Sequence, residues 1–211
     1  GQREIEAMIA AAKAATEPWA RMPWSARAAI FLKAADLLSG PRRWLLNAAT
    51  MLGQSKTAHQ ADIDSACEMA DFLRFNVYFW DQIFAQQPPH VRVGNAWNRL
   101  EYRPLEGFVF AVTPFNFTAI GGNLPTAPAM AGNTVIWKPA TTALLSNYLL
   151  LQVLREAGLP EGVINFLPGR GSKIGDQVLN HPDLAGLHFT GSTSTFNSMW
   201  KLVGSNLSES R

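Results

Sequence analysis

The sequence predicts an α/β protein in which an N-terminal helical segment and a β-hairpin arm precede a run of parallel βαβ units. Three observations carry this reading. Before residue 87, apolar residues recur at helical spacing. From Gly107 onward, apolar runs of strand length alternate with helical stretches, the pattern of a parallel sheet covered by helices. Between the two regimes stands Gln86-Gln87-Pro88-Pro89, which breaks a helix. A chain of 211 residues is long enough for one large α/β domain or a domain with an appendage, and a division into residues 1–106 and 107–211 is expected.

The elements follow in order. Ser25 stands where a cap opens a helix carrying Ile30, Ala34 and Leu37 on one face, and Gly40-Pro41 closes it. A second helix is expected over residues 41–52. A third, over residues 57–86, aligns Ile63, Cys67, Ala70, Leu73, Val77, Trp80 and Phe84 in one apolar stripe, which makes Cys67 a buried core thiol. Val91-Arg92-Val93 and residues 97–103 flank the turn pair Gly94-Asn95 and read as the hairpin arm. Parallel strands are expected over residues 108–113, 134–138, 163–167 and 187–190. Helices are expected over residues 120–130, 142–157 and 173–180, with a last one beginning near Ser192.

Composition removes several function classes. The formal charge of +2 comes from 18 basic and 16 acidic residues scattered without a basic stripe, so nucleic acid is excluded as a partner. The charged share of 16% falls below the ~25% usual for soluble domains and points to buried interfaces. A single cysteine allows no internal disulfide and no zinc site built on several thiolates, which fits a reducing compartment. His59, His90, His181 and His188 lack metal-ligand spacing, so no metal is expected. No apolar run approaches the ~20 residues of a bilayer span, and residues 1–13 lack the zones of a secretory signal. A soluble intracellular protein is expected, and the sequons at Asn116 and Asn206 are then chance matches.

In an open parallel sheet, ligands bind beyond the carboxyl ends of the strands, so the residues after each strand are the informative ones. Here they are Thr113-Pro114-Phe115-Asn116-Phe117, Lys138-Pro139-Ala140, Pro168-Gly169-Arg170-Gly171 and Thr190-Gly191-Ser192-Thr193. Gly191-Ser192-Thr193 at a helix mouth suits a phosphate, while Ser192 as a plain helix cap is the other reading. Gly169 to Gly175 misses the dinucleotide fingerprint because its third glycine falls one position late. Lys138 at a strand end can reach ligand hydroxyls or phosphates, or simply be solvated. Asn116 lies between Phe115 and Phe117, where a carboxamide suits an oxyanion hole or stabilises a turn.

These tips, in this order of Pro-aromatic-Asn, Lys-Pro and Phe-Thr-Gly-Ser, resemble the aldehyde dehydrogenase superfamily. Phe31-Leu32-Lys33-Ala34-Ala35-Asp36, Gln60-Ala61-Asp62-Ile63-Asp64, Tyr102-Arg103-Pro104-Leu105-Glu106-Gly107-Phe108 and Pro114-Phe115-Asn116-Phe117-Thr118-Ala119-Ile120 resemble its Δ1-pyrroline-5-carboxylate dehydrogenase family. The resemblance implies that residues 107–211 are the Rossmann-like nucleotide-binding part of an enzyme oxidising L-glutamate γ-semialdehyde with NAD in proline breakdown. It implies that Asn116 donates to the oxyanion, that Thr113, Phe115, Lys138, Gly191, Ser192, Thr193, Ser194 and Thr195 contact NAD, and that Lys138 holds the adenosine ribose. Glu68 falls near the substrate's amino end, with an exposed helix glutamate as the plain alternative, and Phe117 walls the aldehyde tunnel. A small-molecule aldehyde substrate and a homo-oligomer are implied as partners.

The family's nucleophilic cysteine and basic glutamate follow the strand that ends at Thr190, and the 211 residues hold neither, so they are expected to be an inactive, incomplete part of the fold. The residues after Lys138-Pro139 supply no acid to grip a ribose diol, which leaves NAD and NADP undistinguished. A non-catalytic dinucleotide-binding or assembly module of the same fold is the alternative. Thr50-Met51-Leu52-Gly53-Gln54-Ser55-Lys56 resembles bacterial members and implies the cytoplasm; a eukaryotic source would imply the mitochondrial matrix.

Overall fold

The computed structural model describes residues 1–88 and 97–206. Helices α1 (Gln2–Arg21), α2 (Trp24–Ser39) and α3 (Arg43–Gln54) lead into α4 (Ala58–Ala61), a π-helical segment (Asp62–Glu68) and α5 (Met69–Ala85). Strand and helix then alternate: β1 (Phe108–Val112), α6 (Thr118–Met130), β2 (Thr134–Lys138), α7 (Leu144–Ala157), β3 (Ile164–Phe166), α8 (Gly171–Leu179), β4 (Leu184–Phe189) and α9 (Thr193–Ser205). The four strands form one parallel sheet in the order β3-β2-β1-β4, as the alternation of apolar runs and helices led us to expect.

Strand alternation divides the sheet's side chains between two cores. Val109, Ala111, Val135 and Trp137 face a layer built from α2, α3, α5, α6 and α7, with Phe31, Leu38, Leu46, Met69, Leu73 and Leu150 in its interior. Phe108, Phe110 and Ile136 face the opposite way, against Ile5, Ile9 and Ala12 of α1, Ile174 and Val178 of α8, and Met199 of α9. Trp19 carries α1 across to the first layer, where its Nε1 donates to the Ala129 carbonyl at 2.8 Å.

Gly122 lets three helices meet. A Cβ there would stand 2.3 Å from Leu150 Cδ2 on α7 and 2.5 Å from Met69 Sδ on α5. Gly122→Val should therefore cost about 1–3 kcal/mol of stability through overpacking, read as a lowered denaturation midpoint. A midpoint equal to that of the parent would mean that the α5–α6–α7 contact yields easily.

Several expectations need correction. Helix α1 was not anticipated, because its buried positions are few and set among alanines that show little contrast. Ser25 is the second residue of α2 and does not cap it. Pro23 opens the helix, and its carbonyl accepts from Ala26 N and Arg27 N at 3.0 and 3.1 Å. The long helix is interrupted by its π turn, which has more residues per turn and shifts the phase of everything before it. Asp64, Ser65 and Ala66 consequently face inward, while Ile63 and Cys67 are exposed. Cys67 is thus no core thiol, and its Sγ lies 3.7 Å from Arg43 Nη2.

The hairpin arm is corrected in part. Residues 91–93 and the Gly94-Asn95 turn lie outside the described residues, and residues 97–103 form no strand. An isolated two-stranded ribbon is marginal in water, and this limb is held by side chains instead: Tyr102 meets Phe84 edge-on at 5.5 Å and Leu100 N donates to Gln87 Oε1 at 3.0 Å.

Candidate functional site

From β1 the chain winds through β2 to β3 on one side, then returns to place β4 on the other side of β1. A crevice opens at such a reversal, beyond the carboxyl ends of the strands. The register brings the tips level, because Val112 pairs with Lys138 on one side and with Phe189 on the other. Backbone bonds continue the alignment past the strands, from Thr113 N to Lys138 O and from Thr190 N to Val112 O, both at 3.2 Å.

Here lies a cleft of about 300 Å³, floored by Phe110, Val112 and Lys138 and walled by α8 and α9. Helix α8 contributes Gly171, Ser172, Gly175 and Asp176; α9 contributes Thr195, Ser198 and Met199. Lys138 is the charged group of its floor. Burial pushes its ammonium down from the usual lysine range, and Nζ donates to the Pro139 carbonyl at 3.1 Å, which uses one of its three donors. A cation half out of water with a single neutral partner suits ligand hydroxyls or an anion.

Helix α9 opens at Ser192, whose Oγ accepts from Thr195 N at 3.2 Å, so the cap is formed. The amides of Thr193 and Ser194 lie in the first turn, at the positive end of the helix dipole. The fingerprint-like stretch after β3 contributes more than its spacing implied: Gly171, Ser172 and Gly175 line the cleft, and a Cβ at Gly175 would meet nothing within 4 Å. Asp176 supplies an acid to the cleft that carries Lys138. It arrives from α8, so inspection next to Lys138-Pro139 could not find it. Thr113 differs from the expectation of a cleft hydroxyl: it is buried, and its Oγ1 accepts from Trp137 Nε1 at 3.1 Å.

The loop from β1 to α6 carries Phe115, Asn116 and Phe117, all exposed on this chain. The paired, dry setting that the two phenylalanines suggested for Asn116 is therefore not made by the rings themselves. Phe117 is covered on one face by Lys56, whose Nζ lies 3.9 Å from the ring centroid. The same Nζ is 2.6 Å from Asp64 Oδ2. Glu68, at the end of the π segment, shares this neighbourhood: burial pushes its carboxyl up, the Asp64 charge adds to the rise, and Lys56 opposes it. Lys56 and Asp64 were missed as site residues, since nothing in their spacing marks them before the π turn is known.

No helix among the described residues is long and apolar enough to cross a membrane. Comparison with known proteins agrees with the topology. The chain is 57% identical over 203 residues to "Delta-1-pyrroline-5-carboxylate dehydrogenase" of Agaricus bisporus, covering 96% of this chain and 37% of the relative. It is 52% identical over 199 residues to the mitochondrial protein of that name from Homo sapiens, covering 94% and 35%. Its structure matches that of the Δ-pyrroline-5-carboxylate dehydrogenase of Mycobacterium tuberculosis bound with NAD at a TM-score of 0.95 and 55% identity, over 100% of this chain and 39% of that one. The chain thus spans little more than a third of the length of these relatives. The model of the aldehyde dehydrogenase family matches residues 1–210, and with these identities the chain belongs to the aldehyde dehydrogenase family.

Proposed function

We propose that this chain is the NAD-binding portion of an enzyme that oxidises L-glutamate γ-semialdehyde, the open form of Δ1-pyrroline-5-carboxylate, to L-glutamate in proline breakdown. The observation that carries the proposal is the cleft at the β1–β4 reversal, with a half-buried lysine on its floor, in a chain 55% identical to a dehydrogenase solved with NAD. NAD, when bound, accepts the hydride lost by the substrate. Lys138 holds the hydroxyls of the adenosine ribose, Asp176 is the acid within the same cleft, and Thr195 lies on its wall. Gly191 to Ser194 offer backbone amides to the pyrophosphate at the mouth of α9. Thr113 acts through its buried packing under the tip, and Phe115 bounds the loop on the cofactor's side.

Asn116 donates its amide to the oxygen of the aldehyde as that oxygen gains charge. Phe117 walls the approach of the substrate's carbon chain, and Glu68 faces its amino end. A small-molecule aldehyde and further copies of the chain are the proposed partners, and the exposed rings of Phe75, Tyr78 and Phe79 along α5 are apolar surface that such contacts would cover. The proposed compartment is the bacterial cytoplasm; the human and bovine relatives carry the word mitochondrial in their names.

Titration of NAD into the full-length protein and its Lys138→Met variant tests the cofactor site. Loss of a charged donor to ribose should raise the dissociation constant by about 1.5–3 kcal/mol, on the order of 10- to 150-fold, with the fold intact. An unchanged constant would return Lys138 to a solvated strand end.

A further inference from the structure

Asp64 has no place in the roles above, yet it is one of the most enclosed charges of the chain, 1% exposed. Its Oδ1 accepts from Ala119 N at 2.8 Å and its Oδ2 from Thr118 N at 2.9 Å. These are the first two amides of α6, which begins directly after Asn116 and Phe117. A carboxylate there satisfies two otherwise orphaned donors and sits at the positive end of the helix dipole. Lys56 closes the arrangement by reaching Asp64 Oδ2 at 2.6 Å and covering Phe117. The Thr118 side chain is also tied down: its Oγ1 accepts from Gln54 Nε2 at 2.7 Å and lies 2.8 Å from Thr50 Oγ1. The π turn is what makes this possible, since it presents residues 64, 65 and 66 to the interior together.

We propose that Asp64, assisted by Lys56, is a positioning residue that anchors the start of α6 and thereby fixes the loop that aims the Asn116 carboxamide. The proposal rests on the reading of Asn116 as the oxyanion donor. Asn116 is exposed on this chain and its flanking rings do not enclose it, so its direction is set from behind, through the backbone that Asp64 grips. A donor to a developing oxyanion is sensitive to displacement: a misplacement of about 1 Å can cost on the order of 100-fold in rate. In Asp64→Asn the volume is kept, but one oxygen becomes an NH₂ that faces a backbone N–H.

The test is a double-mutant cycle in the full-length enzyme with Asp64→Asn and Asn116→Ala, measuring kcat, the NAD dissociation constant and thermal stability. Asp64→Asn should lower kcat about 10- to 100-fold with NAD affinity unchanged. In the Asn116→Ala background it should change kcat by less than about twofold, because the donor that it positions is gone. An equal loss in both backgrounds, or no loss in the folded single variant, overturns the proposal while leaving Asn116 in place. An unaltered kcat in Asn116→Ala overturns the reading of Asn116 and this proposal with it. If Asp64→Asn does not fold, Lys56→Met decides by the same cycle: a smaller loss confined to the Asn116 background supports the anchor, and no loss or an equal loss in both refutes it.

Discussion

Asn116→Ala in the full-length enzyme is expected to lower kcat by about 10²- to 10³-fold, equivalent to roughly 2.7–4 kcal/mol, while leaving the NAD dissociation constant nearly unchanged. Attack of a thiolate on an aldehyde moves negative charge onto the carbonyl oxygen. A fixed amide donor stabilises that charge more than the ground-state carbonyl, which is the condition for raising kcat. The side chain stands at the tip of β1, between rings exposed to 67% at Phe115 and 37% at Phe117, so its drying comes from surfaces beyond these residues. Steady-state and single-turnover rates check the expectation. A lowered melting temperature with unchanged turnover per folded enzyme would make Asn116 a turn residue.

The largest stability effect is expected at Trp137. Its ring is fully buried in the first core layer, meets Phe166 edge-on at 5.1 Å, and donates from Nε1 to Thr113 Oγ1 at 3.1 Å. Trp137→Ala removes the ring, leaves a cavity and strands the Thr113 hydroxyl, for about 3–5 kcal/mol in all. Trp137→Phe keeps much of the ring and loses the hydrogen bond, so it should cost distinctly less. Denaturant midpoints of the three proteins check the order. Equal midpoints for the alanine and phenylalanine variants would mean that the lost hydrogen bond, not the lost ring, sets the cost. Because Trp137 lies between the Lys138 floor and the Thr113 tip, the alanine variant should also weaken NAD binding.

Much of this arrangement was readable in the chain. The strands of a buried parallel sheet are apolar runs bounded by glycine and proline, so β2 was placed to the residue and β1 to within one. The tips followed, since each is the polar end of such a run. Helix α1 escaped because alanine packs well without announcing which face is inward. The π turn escaped for a deeper reason: a 3.6-residue period is assumed whenever a helical stripe is drawn, and an inserted residue becomes visible only when tertiary contacts draw it. That one phase shift explains both the misplaced Cys67 and the unforeseen Asp64. Asp176 and the glycines of α8 join Lys138 only when β3 is laid beside β2, a juxtaposition that depends on strand order.

The central claim, that this chain belongs to an enzyme taking a hydride from L-glutamate γ-semialdehyde to NAD, is tested most directly by the rate of NADH formation from that aldehyde by the full-length protein. The expected result is NAD-dependent turnover that is faster, in kcat/KM, with L-glutamate γ-semialdehyde than with an unsubstituted aldehyde of similar length. No NADH formation from a folded full-length protein that binds NAD, or equal kcat/KM for the two aldehydes, would contradict it.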